Sequence, residues 1–387
     1  MVKVALVPCP AYEEAEAAVT AAVDLLGGIG AFFQPEEKIL LKPNLLAKVG
    51  ADAACTTHPA VFTAAAKLLR GHGYTHLTYG DSPGFGDPHK VAAACGIEEA
   101  AASLDIPLAD FSGGQTVEFA EGAYAKHFIL ANGVLESDAI LNLCKMKTHM
   151  LERITGAQKN IFGCVYGLNK GASHVKFPSA TLFAEMLADL NRLVRPRLHI
   201  MDAVVAMEGN GPQSGSPRKM GLILASADPI ALDTLFAMLV CLDPRLVPTN
   251  TVGAAAGVGE GDPAKIEVCT PDGTLTPAEA AEKFGAPDFD VYRGSVDKGE
   301  IKHLRPFRRL IRRVPKIDEK RCIRCGVCVR SCPVPGGAVR FVKDGKPPRY
   351  DYGKCIGCYC CQEMCPQKAI YAYQNPIAKL ADHKFKV

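Results

Sequence analysis

The chain has no tryptophan, and only 7% of its 387 residues are aromatic. So few flat side chains argue against stacking platforms for nucleic-acid bases. Charge of one sign is also lacking: 44 Lys and Arg face 41 Asp and Glu, a formal net charge of +3. That is too little to make a case for phosphate-backbone binding, and no nucleic-acid partner is expected. Long uncharged apolar runs are missing as well. The most apolar stretch, Met220 to Leu242, is interrupted by Asp228, Pro229 and Asp233. A spanning helix needs about 20 largely apolar residues, so no transmembrane segment is expected. The opening Met-Val-Lys-Val-Ala-Leu-Val-Pro-Cys-Pro runs into a strand pattern and lacks the apolar core and cleavage site of a signal peptide. Neither G-x-G-x-x-G nor a Walker A loop occurs, which counts against a Rossmann nicotinamide site.

Cysteine is abundant instead, at 16 residues. Nine lie in two runs near the C-terminus. The first is Cys322-Ile-Arg-Cys325-Gly-Val-Cys328-Val-Arg-Ser-Cys332-Pro333, the second Cys355-Ile-Gly-Cys358-Tyr-Cys-Cys361-Gln-Glu-Met-Cys365-Pro366. Each reads C-x2-C-x2-C-x3-C-P, the spacing with which bacterial-type ferredoxins hold 4Fe–4S cubes. A short turn aims three thiolates at one cube, while the fourth reaches only the partner cube. Cluster I is therefore expected on Cys322, Cys325, Cys328 and Cys365, and cluster II on Cys355, Cys358, Cys361 and Cys332. Zinc is the alternative, but it prefers two Cys pairs with a longer spacer. Cys360 is read as a spacer, since the ligand set is complete without it. The other seven cysteines are scattered without metal spacing, as buried thiols in a reducing cytoplasm.

The rest of the chain alternates short apolar runs with helical segments. Strands are expected at Lys3–Val7, Lys38–Lys42, His76–Tyr79, Ala139–Leu143, Leu198–Met201 and Gly221–Ala225. Between them stand helices such as Pro59–Arg70 and Ile230–Leu242. This pattern predicts an α/β fold, an open and mostly parallel sheet flanked by helices, over residues 1–293. Nine Lys and Arg between Arg293 and Lys316 are opposed only by Asp297 and Glu300, and 294–316 is read as a basic linker. Residues 317–375 form a small α+β ferredoxin-like domain, with a hairpin turned at Asp344-Gly345.

Ligands of open parallel sheets bind beyond the carboxyl ends of the strands. The polar residues following the expected strands are therefore the candidate site. Lys42, Asn44, Thr57, Asp81, Ser82, Lys147, Lys159 and Asn160 are read as substrate-binding, and His149, His58 and Lys145 as catalytic. So many cations suit an anionic small molecule, and the histidines suit proton transfer.

Lys42-Pro-Asn44-Leu, Thr57-His58-Pro59, Gly80-Asp81-Ser82-Pro83-Gly84, Lys145-Met-Lys147-Thr148-His149, Lys159-Asn160-x-x-Gly163, Gly209-x-Gly211-Pro212 and Asp228-Pro229-x-Ala231-x-Asp233 together resemble the DUF362 family, whose longer members carry a C-terminal ferredoxin domain. The resemblance implies an iron–sulfur protein of anaerobic metabolism. With the cysteine runs, the expectation is an iron–sulfur oxidoreductase with two 4Fe–4S clusters, exchanging electrons with a donor or acceptor protein and passing them to an anionic substrate. The alternative is a non-catalytic electron carrier or adaptor subunit of a larger redox complex.

Overall fold

Alternating apolar runs and helices build one nine-stranded sheet in the computed structural model, which describes residues 1–84, 86–167, 169–294 and 312–376. The strands up to the middle of the chain are β1 (Val2–Pro8), β2 (Ile39–Pro43), β3 (Leu77–Tyr79), β4 (Gly114–Glu118), β5 (His127–Ala131), β6 (Ala139–His149) and β7 (Arg153–Thr155). They are followed by β8 (Leu198–Glu208), β9 (Ser216–Ser226), β10 (Ile266–Thr270) and β11 (Gly273–Leu275). Across the sheet the order is β11-β10-β1-β9-β8-β6-β2-β3, with β7 added to β6, while β4 and β5 pair apart from it. Strands β10, β1, β8, β6, β2 and β3 run one way and β11, β9 and β7 the other, so the sheet is mixed but mostly parallel. Helices cover both faces. Ala5 and Val7 of β1 face one apolar cluster, Val4 and Leu6 another, as the period of two requires. Burial on both sides explains why these strands read as unbroken apolar runs.

Two strands are longer than the sequence pattern predicts. β6 continues from Leu143 to His149, and every residue of it is buried. β8 runs on to Glu208. Pairing carries both onward: Lys145 sits opposite Asp202, a bulge follows, and Lys147, Thr148 and His149 then pair with β7. The cationic group therefore lies in a buried strand. Opposite charges in register offset its desolvation.

The C-terminal unit contains β12 (Val314–Ile317) paired with β15 (Ile370–Tyr373), and β13 (Val339–Arg340) paired with β14 (Arg349–Tyr350). The second pair is the hairpin expected around Asp344-Gly345. The two cysteine runs fold alike. Arg324 and Gly326 take positive φ in the first, and Gly357 and Tyr359 at the matching positions of the second. A one-turn helix follows each, Val327–Arg330 and Cys360–Glu363. Glycine fills one of the two left-handed positions in each run, which limits the steric cost of wrapping the chain. The expected basic linker lies largely, at 295–311, outside the described residues.

This unit packs against the end of β6 and the turn after β8. Asn210 donates from Nδ2 to the Ile370 carbonyl at 2.8 Å, and Gln362 donates from Nε2 to the carbonyls of Asn210 (2.8 Å) and Gly211 (3.2 Å). Gly211 cannot be larger, because a Cβ there would stand 2.3 Å from the Thr148 carbonyl oxygen. Among the described residues no helix is long and apolar enough to cross a membrane.

Candidate functional site

The thiols of the cysteine runs gather in two groups. Cys322, Cys325, Cys328 and Cys365 line one small cavity in the C-terminal unit. Burial, then the nearby Cys365, Cys322 and Cys325, push the Cys328 thiol up to about 11. Cys361 is raised by burial and by Cys358 and Cys355, although the Tyr350 hydroxyl donates to its Sγ at 3.2 Å. Backbone amides of Ala338 and Ala369 donate to the sulfurs of Cys332 (3.2 Å) and Cys365 (3.3 Å). Burial and crowding penalise the bare thiolates, and a cationic iron core would lift that penalty by taking the protons' place, with amides already aimed at two of the sulfurs. Among the described residues no three His, Cys, Asp or Glu side chains converge as ligands of a single ion would. A cube spreads its thiolates over separate irons, so the donor set fits cubes.

Between this unit and the sheet lies a cavity of about 390 Å³. Its walls bring together Asn44, Asp81 and Ser82 from the ends of β2 and β3, Lys147 from β6, and Lys159, Asn160 and Lys170 from the segment after β7. The C-terminal unit contributes Cys332, Cys360 and Glu363.

The lysines divide by partner. Lys42, fully buried, pairs with Asp81 at 2.9 Å, and the second Asp81 oxygen accepts the Leu45 amide at 2.7 Å. Gly163 lies against this pair: a Cβ there would stand 1.7 Å from the Asp81 Oδ1. Lys145 pairs with Asp202 at 2.7 Å and also reaches the Tyr12 hydroxyl at 3.0 Å. Lys147, Lys159 and Lys170 have no carboxylate partner among the described residues. Lys147 donates to the Asn44 side chain and to the Cys55 carbonyl at 2.6 Å, and Lys170 to the carbonyls of Ser82 and Pro83. Lys159 stands 5.9 Å from the ring centres of Phe162 and Phe183. Burial pushes Lys147 and Lys170 down to about 8, so both are mainly cationic at neutral pH. Asp81 acts on Lys170 and Glu363 on Lys147, but no carboxylate stands within ion-pair distance of the three cations among the described residues, which leaves the cavity electropositive.

Histidine 149 is sealed off from the cavity. Its Nδ1 accepts the amides of Leu151 (3.1 Å) and Glu152 (3.0 Å), which fixes the ring proton on Nε2. Nε2 lies 3.1 Å from Oε1 of Glu363. Burial pushes His149 down to about 4, since protonation would also set a third proton against the two amides. Glu363 is held below the usual carboxylate range; burial opposes this, but His149 and Lys159 outweigh it. Behind the wall an amide chain runs from Asn44 to Asn160 (2.8 Å), Asn142 (2.7 Å) and His199 (2.8 Å). It fixes which face of each amide points to the lysines.

The structure brings Asn44, Asp81, Ser82, Lys147, Lys159 and Asn160 to the cavity and sets the other candidates behind it. Thr57 bridges the Asn44 amide (2.8 Å) and the Leu143 carbonyl (2.7 Å). His58 caps the helix Pro59–Gly71 by accepting the Ala60 amide, and it stacks on Tyr12 with ring centres 3.5 Å apart. Asp228 caps the helix Pro229–Leu239. Lys170, His174, Glu363 and Cys360 also face the cavity. Glu363 carried one sequence signal, a carboxylate placed between the ligand-spaced Cys361 and Cys365.

A family model described as a domain of unknown function, DUF362, matches residues 39–238. A second, described as a 4Fe-4S dicluster domain, matches residues 314–366. A thylakoid-associated protein of Synechocystis sp. is 36% identical over 262 residues, which is 67% of this chain and 81% of the relative. Among solved structures, the lactate racemase apoprotein of Thermoanaerobacterium thermosaccharolyticum is 8% identical with a TM-score of 0.38, over 58% of this chain and 54% of that one. A protein of Thermotoga maritima is 11% identical with a TM-score of 0.34, over 64% of this chain and 59% of that one. The chain thus spans less than two thirds of either structure.

Proposed function

Because the chain belongs to the DUF362 family and carries an iron–sulfur dicluster domain for electron transfer at its C-terminus, we propose that it is an oxidoreductase acting on a small organic anion held in the 390 Å³ cavity. In this reading Cys322, Cys325, Cys328 and Cys365 hold one 4Fe–4S cube, and Cys355, Cys358, Cys361 and Cys332 the other. When bound, the cubes supply single low-potential electrons. Residues 1–293 form the substrate domain and 317–375 the cluster domain. The protein works in a reducing cytoplasm.

One observation carries the reading: the cavity wall contains Cys332 together with Lys147, Lys159 and Lys170, three cations without a carboxylate partner. An anion seated there lies against a cluster ligand. Lys147 and Lys170 are held by fixed carbonyls, so they meet the anion without reorganising. Asn44, Asn160 and Ser82 orient its polar groups. Glu363 stays ionised at the cavity, its Oε1 3.1 Å from His149 Nε2, and Lys170, lowered to about 8 by burial, is the group placed to give up or take up a proton there. Lys42 and Lys145, neutralised by Asp81 and Asp202, shape the wall.

The test uses anaerobically prepared protein, reduced with dithionite and then mixed with organic carboxylates and phosphate esters that contain a reducible bond. An active anion should reoxidise the wild type. Lys159→Ala should need about tenfold more of it, as loss of one charge-assisted contact implies, with iron content unchanged. Equal reoxidation by the wild type and Lys159→Ala would refute the site. A second reading, an adaptor subunit of a redox complex, draws support from the relative described as thylakoid-associated. Stoichiometric partner subunits on native purification, with an unreactive cavity, would favour it.

A further inference from the structure

A second concavity, of about 800 Å³, lies on the C-terminal unit and is lined by Arg312, Lys316, Arg340, Arg349, Tyr350 and Asp351 among others. Its charge is lopsided. Among the described residues Arg340 and Arg349 make no ion pair or side-chain hydrogen bond, and both are exposed. The one carboxylate, Asp351, already accepts the Gly353 amide at 2.9 Å. The surrounding stretch 312–376 holds thirteen Lys and Arg against five Asp and Glu, so it carries +8 where the whole chain carries +3. Two dianionic cubes would reduce that excess without cancelling it.

The groove is also wired to one thiol group. Arg312 donates to the Cys355 carbonyl, and the Tyr350 hydroxyl donates to Cys361 Sγ at 3.2 Å. Cys332 of the same group lines the 390 Å³ cavity.

We propose that this groove docks the acidic face of a small one-electron carrier protein. This rests on the two-cube reading above. A reduced carrier docked there would give one electron to a cube that Cys355, Cys358, Cys361 and Cys332 would hold, with no bond or proton moving. Charge complementarity decides the occupant: four cations in a concave site, two of them unpaired, match a convex acidic surface. A flat anionic membrane would leave the concavity unfilled, although exposed Val342 at its rim, at 63%, would suit one.

The experiment takes the full chain with its cubes and an acidic plant-type ferredoxin as the probe. Calorimetry reads complex formation and stopped-flow absorbance reads electron transfer, each across a salt series. Arg340→Glu with Arg349→Glu should weaken binding at low salt by about tenfold or more and slow transfer in step, the gap closing as salt screens both charges. Dithionite should reduce the variant as fully as the wild type. Absent cubes in the wild type would instead overturn the two-cube reading. Intact cubes with probe binding unmoved by the variant or by salt would overturn the groove. So would charge-dependent binding to phosphatidylserine vesicles with ferredoxin binding unchanged.

Discussion

The two units of the chain handle buried polarity in opposite ways. The α/β unit surrounds its sheet with extensive apolar clusters, and inside them it neutralises Lys42 with Asp81 and Lys145 with Asp202. The C-terminal unit has a very small core, an apolar cluster of Val339 and Ile370 with Cys328 and Cys361. Half of the residues in that cluster are cysteines. Such a unit lacks the apolar area to fold alone and must draw its stability from what its thiols bind. The cavity lies where the two units meet, with three lysines that have no carboxylate at ion-pair distance among the described residues.

The sharpest way to break this contrast is to withhold iron. Iron-free protein, or Cys328→Ser with Cys361→Ser, should lose the C-terminal unit's cooperative unfolding transition while the α/β unit keeps its own. Calorimetry with circular dichroism measures this, and a single unchanged transition would contradict it. Next in size is the buried pair. Lys42→Met leaves the Asp81 charge uncompensated and should cost about 3–5 kcal/mol in denaturant unfolding, with Asp81→Ala similar. Lys42→Met with Asp81→Leu should recover much of the loss.

A third effect is on binding. Lys147 and Lys170, lowered to about 8 by burial, carry their charge below that pH and lose it above. Affinity for the organic anion should therefore hold at pH 7 and fall by about tenfold by pH 9 for each lysine that contributes fully. Calorimetry should also find proton uptake on binding near pH 8, because the anion favours the charged lysines. The smallest effect belongs to the seam. Gln362→Ala removes donors to Asn210 and Gly211 and should weaken domain docking by about 1 kcal/mol, read as faster hydrogen exchange there, with iron content unchanged.

How much could be read beforehand follows the range of each interaction. The thiol grouping was legible because eight ligand-spaced cysteines in two short runs constrain one another locally. The fold class was legible because apolar runs alternate with helices. The length of β6 was not: Lys145, Lys147 and His149 resemble a loop until Asp202, 57 residues from Lys145, is known to lie opposite. The same distance hid the division of the lysines, since nothing local says that Lys42 is paired and Lys159 is not. Histidines 58 and 149 suit proton transfer by residue type, yet backbone amides occupy the Nδ1 of each. Glu363 is not legible from the strand ends, because this carboxylate comes from the other unit.

The central claim is that the cavity joins an anion to the cluster on Cys332. Electron paramagnetic resonance of the dithionite-reduced protein, with and without a saturating organic anion, tests it most directly. The account predicts that one cluster's signal shifts on binding while the other stays fixed, and that Lys159→Ala abolishes the shift at the same anion concentration. Spectra unchanged by every anion that calorimetry shows to bind would contradict it.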